Sequence, residues 1–108
     1  MTVNLPPVLS EYFAAANARD PDRVAACFTE DARIHDEGRD IGGHAAIRAW
    51  ADETGRKYGF TADVRAIEET ESGPVVTARL TGAFPGSPLD LLYRFELSGG
   101  RVSALDIG

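Results

Sequence analysis

The sequence predicts an α+β fold, with three amphipathic helices in its first half and short-turned strands in its second. Two patterns carry that expectation. Apolar residues recur every three or four positions as far as Tyr58, and every second position beyond Phe60. Helices and strands that segregate along a chain pack as separate layers, unlike the alternating units of a parallel sheet. Strands joined by short turns run antiparallel, and one face of such a sheet must be covered. The three helices are there to cover it, and a strongly curved antiparallel sheet beneath them encloses an apolar pocket.

The first helix is expected over residues 6–18, with Leu5, Leu9, Tyr12, Phe13 and Ala16 on one face. Asp20 caps a second helix that has Pro21 at its first position. Val24, Cys27 and Phe28 form its apolar stripe, and residues 29–31 close it. Residues 32–36 read as a short strand and 37–43 as a polar loop. A third helix spans 44–58, with Ile47, Trp50, Ala51, Thr54 and Tyr58 on one side and Gly59 as its stop.

Strands follow over 60–69, 75–84, 89–97 and 101–107. In the second of these, Val76, Ala78, Leu80, Gly82 and Phe84 face one way. In the third, Leu89, Leu91, Tyr93, Phe95 and Leu97 alternate with Asp90, Arg94 and Glu96, and Leu92 falls on the outer face. In the last, Ser103, Leu105 and Ile107 form the inner set, which turns Asp106 outward unless a bulge reverses the phase.

A chain of 108 residues that is 44% hydrophobic and 26% charged reads as one domain, residues 1–108, with a real core. Its net charge of −6 repels phosphate backbones and anionic membranes, and its 11 Lys and Arg are scattered. Neither a nucleic-acid nor a membrane partner is expected. Met1 to Val8 lacks the features of an export signal, and no apolar run reaches membrane-spanning length. Cys27 is the only cysteine, so no internal disulfide can form. A cytoplasmic protein is the resulting expectation. His35 and His44 lack the spacing of a metal pair, and no metal or cofactor is expected. Cys27 lies on an apolar stripe and reads as an inert buried thiol.

The stretch Tyr12-Phe-Ala-Ala-Ala-Asn17-Ala-Arg-Asp20, then Phe28-Thr-Glu-Asp31-Ala32, Asp36 and Gly43-His-Ala-Ala-Ile47, resembles the first half of bacterial ketosteroid isomerases and SnoaL-like polyketide cyclases. Both belong to the nuclear transport factor 2-like superfamily. The resemblance implies a cone-shaped, cystatin-like roll and commonly a homodimer paired through the outer sheet face. It also carries two chemical positions over. The family's general-base aspartate falls on Asp36, and its helix-one oxyanion donor falls on Tyr12. The family's protonated late-strand aspartic acid has no counterpart. With a gap at Ser98–Gly99 its place is taken by Tyr93, without one by Leu92, and strand alternation independently favours Tyr93. Glu37 stands where a proline is common, and the chain is shorter toward its C-terminus. Both departures argue against steroid-sized substrates.

From strand alternation, Asp36 shares the pocket face with Ile34, while Arg33 and His35 face out. Ile34, Trp50, Tyr58, Phe84 and Phe95 are the expected lining. A carboxylate among such residues is partly desolvated, which makes it a better base, and Tyr12 and Tyr93 can donate to a developing oxyanion. The same residues also fit a plain reading, with Asp36 a solvated strand-end cap and Tyr12 a core aromatic. Three functions stay open on this evidence. One is a cofactor-free acid–base isomerase or cyclase acting on a small carbonyl compound. Another is a binding module that holds a small apolar ligand without chemistry. The last is a dimerising structural protein.

Overall fold

The computed structural model describes residues 3–108, so Met1 and Thr2 of the segment read for an export signal lie outside it. Three helices, α1 (Pro7–Asn17), α2 (Pro21–Ala26) and α3 (His44–Tyr58), pack on one six-stranded sheet. The strands are β1 (Phe28–Asp36), β2 (Arg39–Gly42), β3 (Thr61–Thr70), β4 (Gly73–Thr81), β5 (Leu89–Ser98) and β6 (Arg101–Ile107). The fold is α+β, as expected.

The strand order is β2-β1-β6-β5-β4-β3. Four of the five pairings are antiparallel, and β1 with β6 is parallel. The sheet is therefore mixed. Short turns dictate only the pairings of sequence neighbours, whereas β1 and β6 meet from opposite ends of the fold. Register shifts fall between Phe28 and Arg33 in β1, Val64 and Ala66 in β3, and Glu96 and Leu97 in β5. Bulges of this kind bend strands and strengthen twist, and here they curl the sheet around its helices.

Local chemistry explains each helix boundary. Pro6 and Pro7 open α1, and Asp20 accepts the Arg23 backbone N–H at 3.2 Å to cap α2. Helix α3 ends on Gly59 in the left-handed conformation, φ +55°, whose N–H returns to the Gly55 carbonyl. The second helix is shorter than the sequence suggests. It stops at Ala26, the Cys27 N–H turns back to the Val24 carbonyl, and Phe28 already begins β1. Residues 37–43 also hold a strand, β2, in place of an unbroken loop.

The core lies between the helices and the concave face of the sheet. Leu9, Tyr12 and Phe13 from α1 meet Phe28, Ile34, Val76, Tyr93, Phe95, Val102 and Leu105 from the strands. Asn17 stitches α1 to the edge strand. Its side-chain amide donates to the Ala62 carbonyl at 2.9 Å, and its oxygen accepts the Ala62 N–H at 2.8 Å. Leu97 and Leu89, expected inward, are 38% and 43% exposed, because the inward run of β5 is confined to Leu91, Tyr93 and Phe95 between the strand's ends. The bulge between Glu96 and Leu97 likewise puts Val102, not Ser103, in the core, while Asp106 stays outward as expected.

One glycine holds the β3–β4 turn against β5. Gly73 has φ +128°, and a Cβ there would meet the Phe95 carbonyl oxygen at 2.2 Å. Gly86 has φ +91° but open space around it. Gly73→Ala should therefore destabilise the fold by about 2 kcal/mol or more, and well beyond Gly86→Ala, whose cost is backbone strain alone. Urea denaturation of the two variants checks this, and equal losses would show that the close approach carries no cost.

Candidate active site

Asp36 ends β1, where the chain reverses through Glu37 and Gly38 at φ +53° and +73°. Two consecutive left-handed residues are the signature of a tight type I′ hairpin, and they leave Asp36 directly opposite Arg39. Proline, with φ held near about −65°, cannot occupy the place of Glu37 in this turn. The glutamate at this position thus belongs to a different hairpin from one built on proline.

Asp36 is half-buried, and its Oδ2 accepts the Trp50 indole N–H at 2.9 Å. Trp50 sits on the buried face of α3, so the bond ties that helix to the end of β1 and leaves Oδ1 open. Burial raises the Asp36 carboxyl above its ordinary value. The Trp50 hydrogen bond pulls it back, the Glu37 charge pushes it up again, and Arg39 and His35 oppose.

A cavity of about 80 Å³ opens beside this carboxylate, lined by Tyr12, Asp36, Glu37, Trp50, Thr54, Tyr58, Phe60, Leu80, Leu91, Tyr93 and Ile107. Tyr12 and Tyr93 are each 3% exposed. Among the described residues neither phenol has a hydrogen-bond partner, yet no fully enclosed polar side-chain atom goes unpaired. Neither hydroxyl is therefore fully enclosed, and both residues line the cavity. Burial is the main cause that drives both phenols upward, and the Asp36 charge adds to each. They stay protonated at neutral pH, so each hydroxyl keeps a proton. At the mouth, the Tyr58 hydroxyl donates to Glu37 Oε1, and the Tyr58 ring meets the edge of Phe84 at 6.0 Å.

The cavity gathers Asp36, Tyr12, Tyr93, Trp50 and Tyr58 from the expected set, and leaves out Ile34, Phe84 and Phe95. Ile34 and Phe95 are 1% and 2% exposed, packed into the core behind the lining. Phe84 lies beyond the end of β4 at Thr81 and touches Tyr58 from outside. Just past that end Gly82 passes close to the α3 terminus, where a Cβ on it would stand 2.8 Å from the Gly59 carbonyl oxygen. Glu37 and Thr54 line the cavity although neither was among the expected lining residues. Thr54 shares the helical stripe of Trp50, so its phase was the available signal.

The remaining titratable groups are elsewhere. His35 is exposed on the outer face with Nδ1 2.9 Å from Asp40 Oδ1, an interaction that raises its pKa. His44 is half-buried and donates from Nε2 to the Phe28 carbonyl at 2.7 Å. Burial pushes the Cys27 thiol up to about 11, as befits an unreactive core cysteine. No group of three metal-ligating side chains occurs among the described residues. No helix among them is long and apolar enough to cross a membrane.

The family model described as the SnoaL-like domain matches residues 9–105, and the chain belongs to that family. Among solved structures it is similar to a candidate polyketide cyclase from Sinorhizobium meliloti, at 32% identity and a TM-score of 0.91. That match covers 96% of this chain and 95% of the other. A protein with a ketosteroid isomerase-like fold from Catenulispora acidiphila, in complex with trimethylamine, shares 15% identity with a TM-score of 0.85. There the coverage is 97% of this chain and 86% of the other. The epoxide hydrolase/cyclase-like enzyme SalBIII, of pyran ring formation in salinomycin, shares 20% identity with a TM-score of 0.79 over 94% of this chain and 86% of its own. The last two likenesses concern the fold alone. A comparison with curated proteins returns no match.

A carboxyl whose folded-state pKa is raised binds its proton more tightly folded than unfolded. Its contribution to stability is present at acid pH and is lost as pH rises through the folded-state pKa. Asp36→Asn removes that loss while keeping an oxygen to accept the Trp50 N–H. The variant should be more stable than the parent at pH 7, with the difference shrinking as pH falls through the Asp36 pKa. Denaturation midpoints across pH 4–8 measure this, and a pH-independent difference would contradict the desolvated state of Asp36.

Proposed function

We propose that the protein is a cofactor-free acid–base isomerase or cyclase acting on a compact carbonyl compound, with Asp36 as general base. The observation that carries this reading is one half-buried carboxylate facing two buried, unpartnered phenols across a single cavity. Asp36 Oδ1 would take a proton from the carbon next to the carbonyl. Tyr12 and Tyr93 would donate hydrogen bonds to the oxygen on which charge develops. Returning the proton from Asp36 to another carbon completes an isomerisation; attack of the enolate carbon on a second carbonyl, with the Asp36 proton passed to the alkoxide that forms, completes a cyclisation. Trp50 holds the second carboxylate oxygen, so the base keeps one orientation.

Cavity size narrows the substrate. About 80 Å³ holds a handful of water molecules or a small fragment, not a fused-ring skeleton. Membership of the SnoaL-like family and the 32% identity to a candidate cyclase support small-molecule chemistry.

Asp36→Asn should lower kcat by about 10²–10⁴-fold while ligand binding survives, because Asn keeps the shape but cannot take the proton. Tyr12→Phe should cost on the order of 10²–10³-fold. The rate should fall as pH drops through the Asp36 pKa, which burial raises from its ordinary value. A panel of small β,γ-unsaturated ketones is the assay. Turnover that survives Asp36→Asn within about threefold moves the base elsewhere, since general-base catalysis is worth far more than that. Binding without turnover by any panel member favours the non-catalytic binding module instead.

We further propose a homodimer through the outer sheet face. Register places Arg94, Asp106, His35 and Asp40 in one row across β5, β6, β1 and β2. The row alternates in sign. A two-fold axis between Asp106 and His35 sets Arg94 against the partner's Asp40 and Asp106 against the partner's His35. Val75 and Leu92, half-buried on the same face, add apolar area. Light scattering at micromolar concentration should give twice the chain mass, and Arg94→Asp should shift it toward the monomer. A monomer mass for the parent protein refutes the dimer.

A further inference from the structure

A second cavity of about 60 Å³ lies between α1, α2 and α3, and shares Tyr12, Trp50, Thr54 and Phe60 with the Asp36 cavity. Arg19 stands on its rim, and three features put it there. Its own backbone is left-handed at φ +56°, a conformation that costs a non-glycine residue energy. Its side chain crosses α3 where Gly55 leaves room, since a Cβ on Gly55 would stand 3.3 Å from Arg19 Cδ. Glycine inside a helix is itself unfavourable. Finally, the guanidinium comes to rest over the Phe60 ring, 5.3 Å from its centroid.

The charge on Arg19 is not consumed locally. It forms none of the ion pairs among the described residues, and only Nη1 is engaged, donating to the Ala16 carbonyl at 3.3 Å. The other charged groups on this cavity have partners of their own. Asp52 pairs with Arg56 at 2.9 Å, and Asp20 Oδ1 caps α2. A strained backbone at Arg19 and a glycine inside α3 thus place one exposed, uncommitted guanidinium beside an apolar wall shared with the candidate active site.

We propose that Arg19 is an anion-recognition residue and that the ligand of this protein is a compact organic carboxylate. The carboxylate takes the free edge of the guanidinium, where two parallel N–H donors match its two oxygens. The apolar body lies against Phe60 and Trp50, on the wall behind which Asp36 waits. This inference rests on the interior being a small-molecule site, and not on Asp36 being a base.

Hexanoate and its neutral counterpart hexanamide test it, titrated into ¹⁵N-labelled protein with amide shifts as the readout. The parent protein should bind hexanoate about tenfold more tightly, the order expected of a charge-assisted pair, with shifts at Ala16, Gly55 and Phe60. Arg19→Gln should bind the two alike. Arg19→Gly should lose the same preference without a fall in thermal midpoint, because glycine relieves the left-handed strain. Equal affinities in the parent, or a preference that survives Arg19→Gln, overturns the anion site and leaves the pocket reading standing. Saturable binding of neither probe overturns both. Loss of turnover in Asp36→Asn, measured separately, bears on the base alone.

Discussion

The contact on which the rest of the molecule depends is the seating of α1 on the sheet through two adjacent rings. Tyr12 and Phe13 stand at 87° to each other with centroids 5.1 Å apart. Tyr12 meets Phe28 at 6.0 Å and Phe95 at 5.6 Å, and Phe13 meets Tyr93 at 5.1 Å. Edge-to-face packing of this kind fixes both angle and distance, so it sets the depth at which the helix rides. The cavity is what remains above that contact. Because Tyr12 and Tyr93 belong to the core and also line the cavity, packing and candidate chemistry share the same side chains.

Around that contact the local rules are broken in one neighbourhood. Glu37 and Arg19 are the positive-φ residues other than glycine among those described, and each flanks a cavity. Gly55, a poor helix former, sits inside α3 between Trp50 and Tyr58. A half-buried carboxylate is kept where burial raises its pKa. Proteins tend to concentrate such costs where geometry serves something other than stability. The outer face contrasts with this. Its ion pairs, such as Arg79 with Asp90 and His35 with Asp40, are exposed and contribute little to stability.

What could be read from the sequence follows from the range of each signal. Helix α3 shows its stripe and its glycine stop over fifteen residues, and its bounds agree with the reading at both ends. Phe28 misled because Val24, Cys27 and Phe28 satisfy helical spacing, although Phe28 equally begins the alternation that Ile34 continues. Strand β2 has four residues with Ile41 its single buried one, too few to display a period. The β1–β6 pairing has no local signature at all. Asp36, Tyr12 and Tyr93 were singled out by the family resemblance, and helical and strand phase put them on the inner face, where all three line the cavity. Phase could not tell a residue on the lining from one behind it, which is why Ile34 and Phe95 belong to the packed interior. That distinction depends on how side chains fill volume across elements.

The parallel β1–β6 pair also governs when the molecule can become itself. Strand β6 lies between β1 and β5, so the sheet without it is two fragments, β2-β1 and β5-β4-β3. It also brings Val102 and Leu105, 0% and 2% exposed, to the centre of the core. During synthesis β1 leaves the ribosome early and must wait for the last element in chain order before its inner edge is paired. An open strand edge on β1 therefore persists until β6 is made, and the pairing of β6 joins the two fragments of the sheet at once.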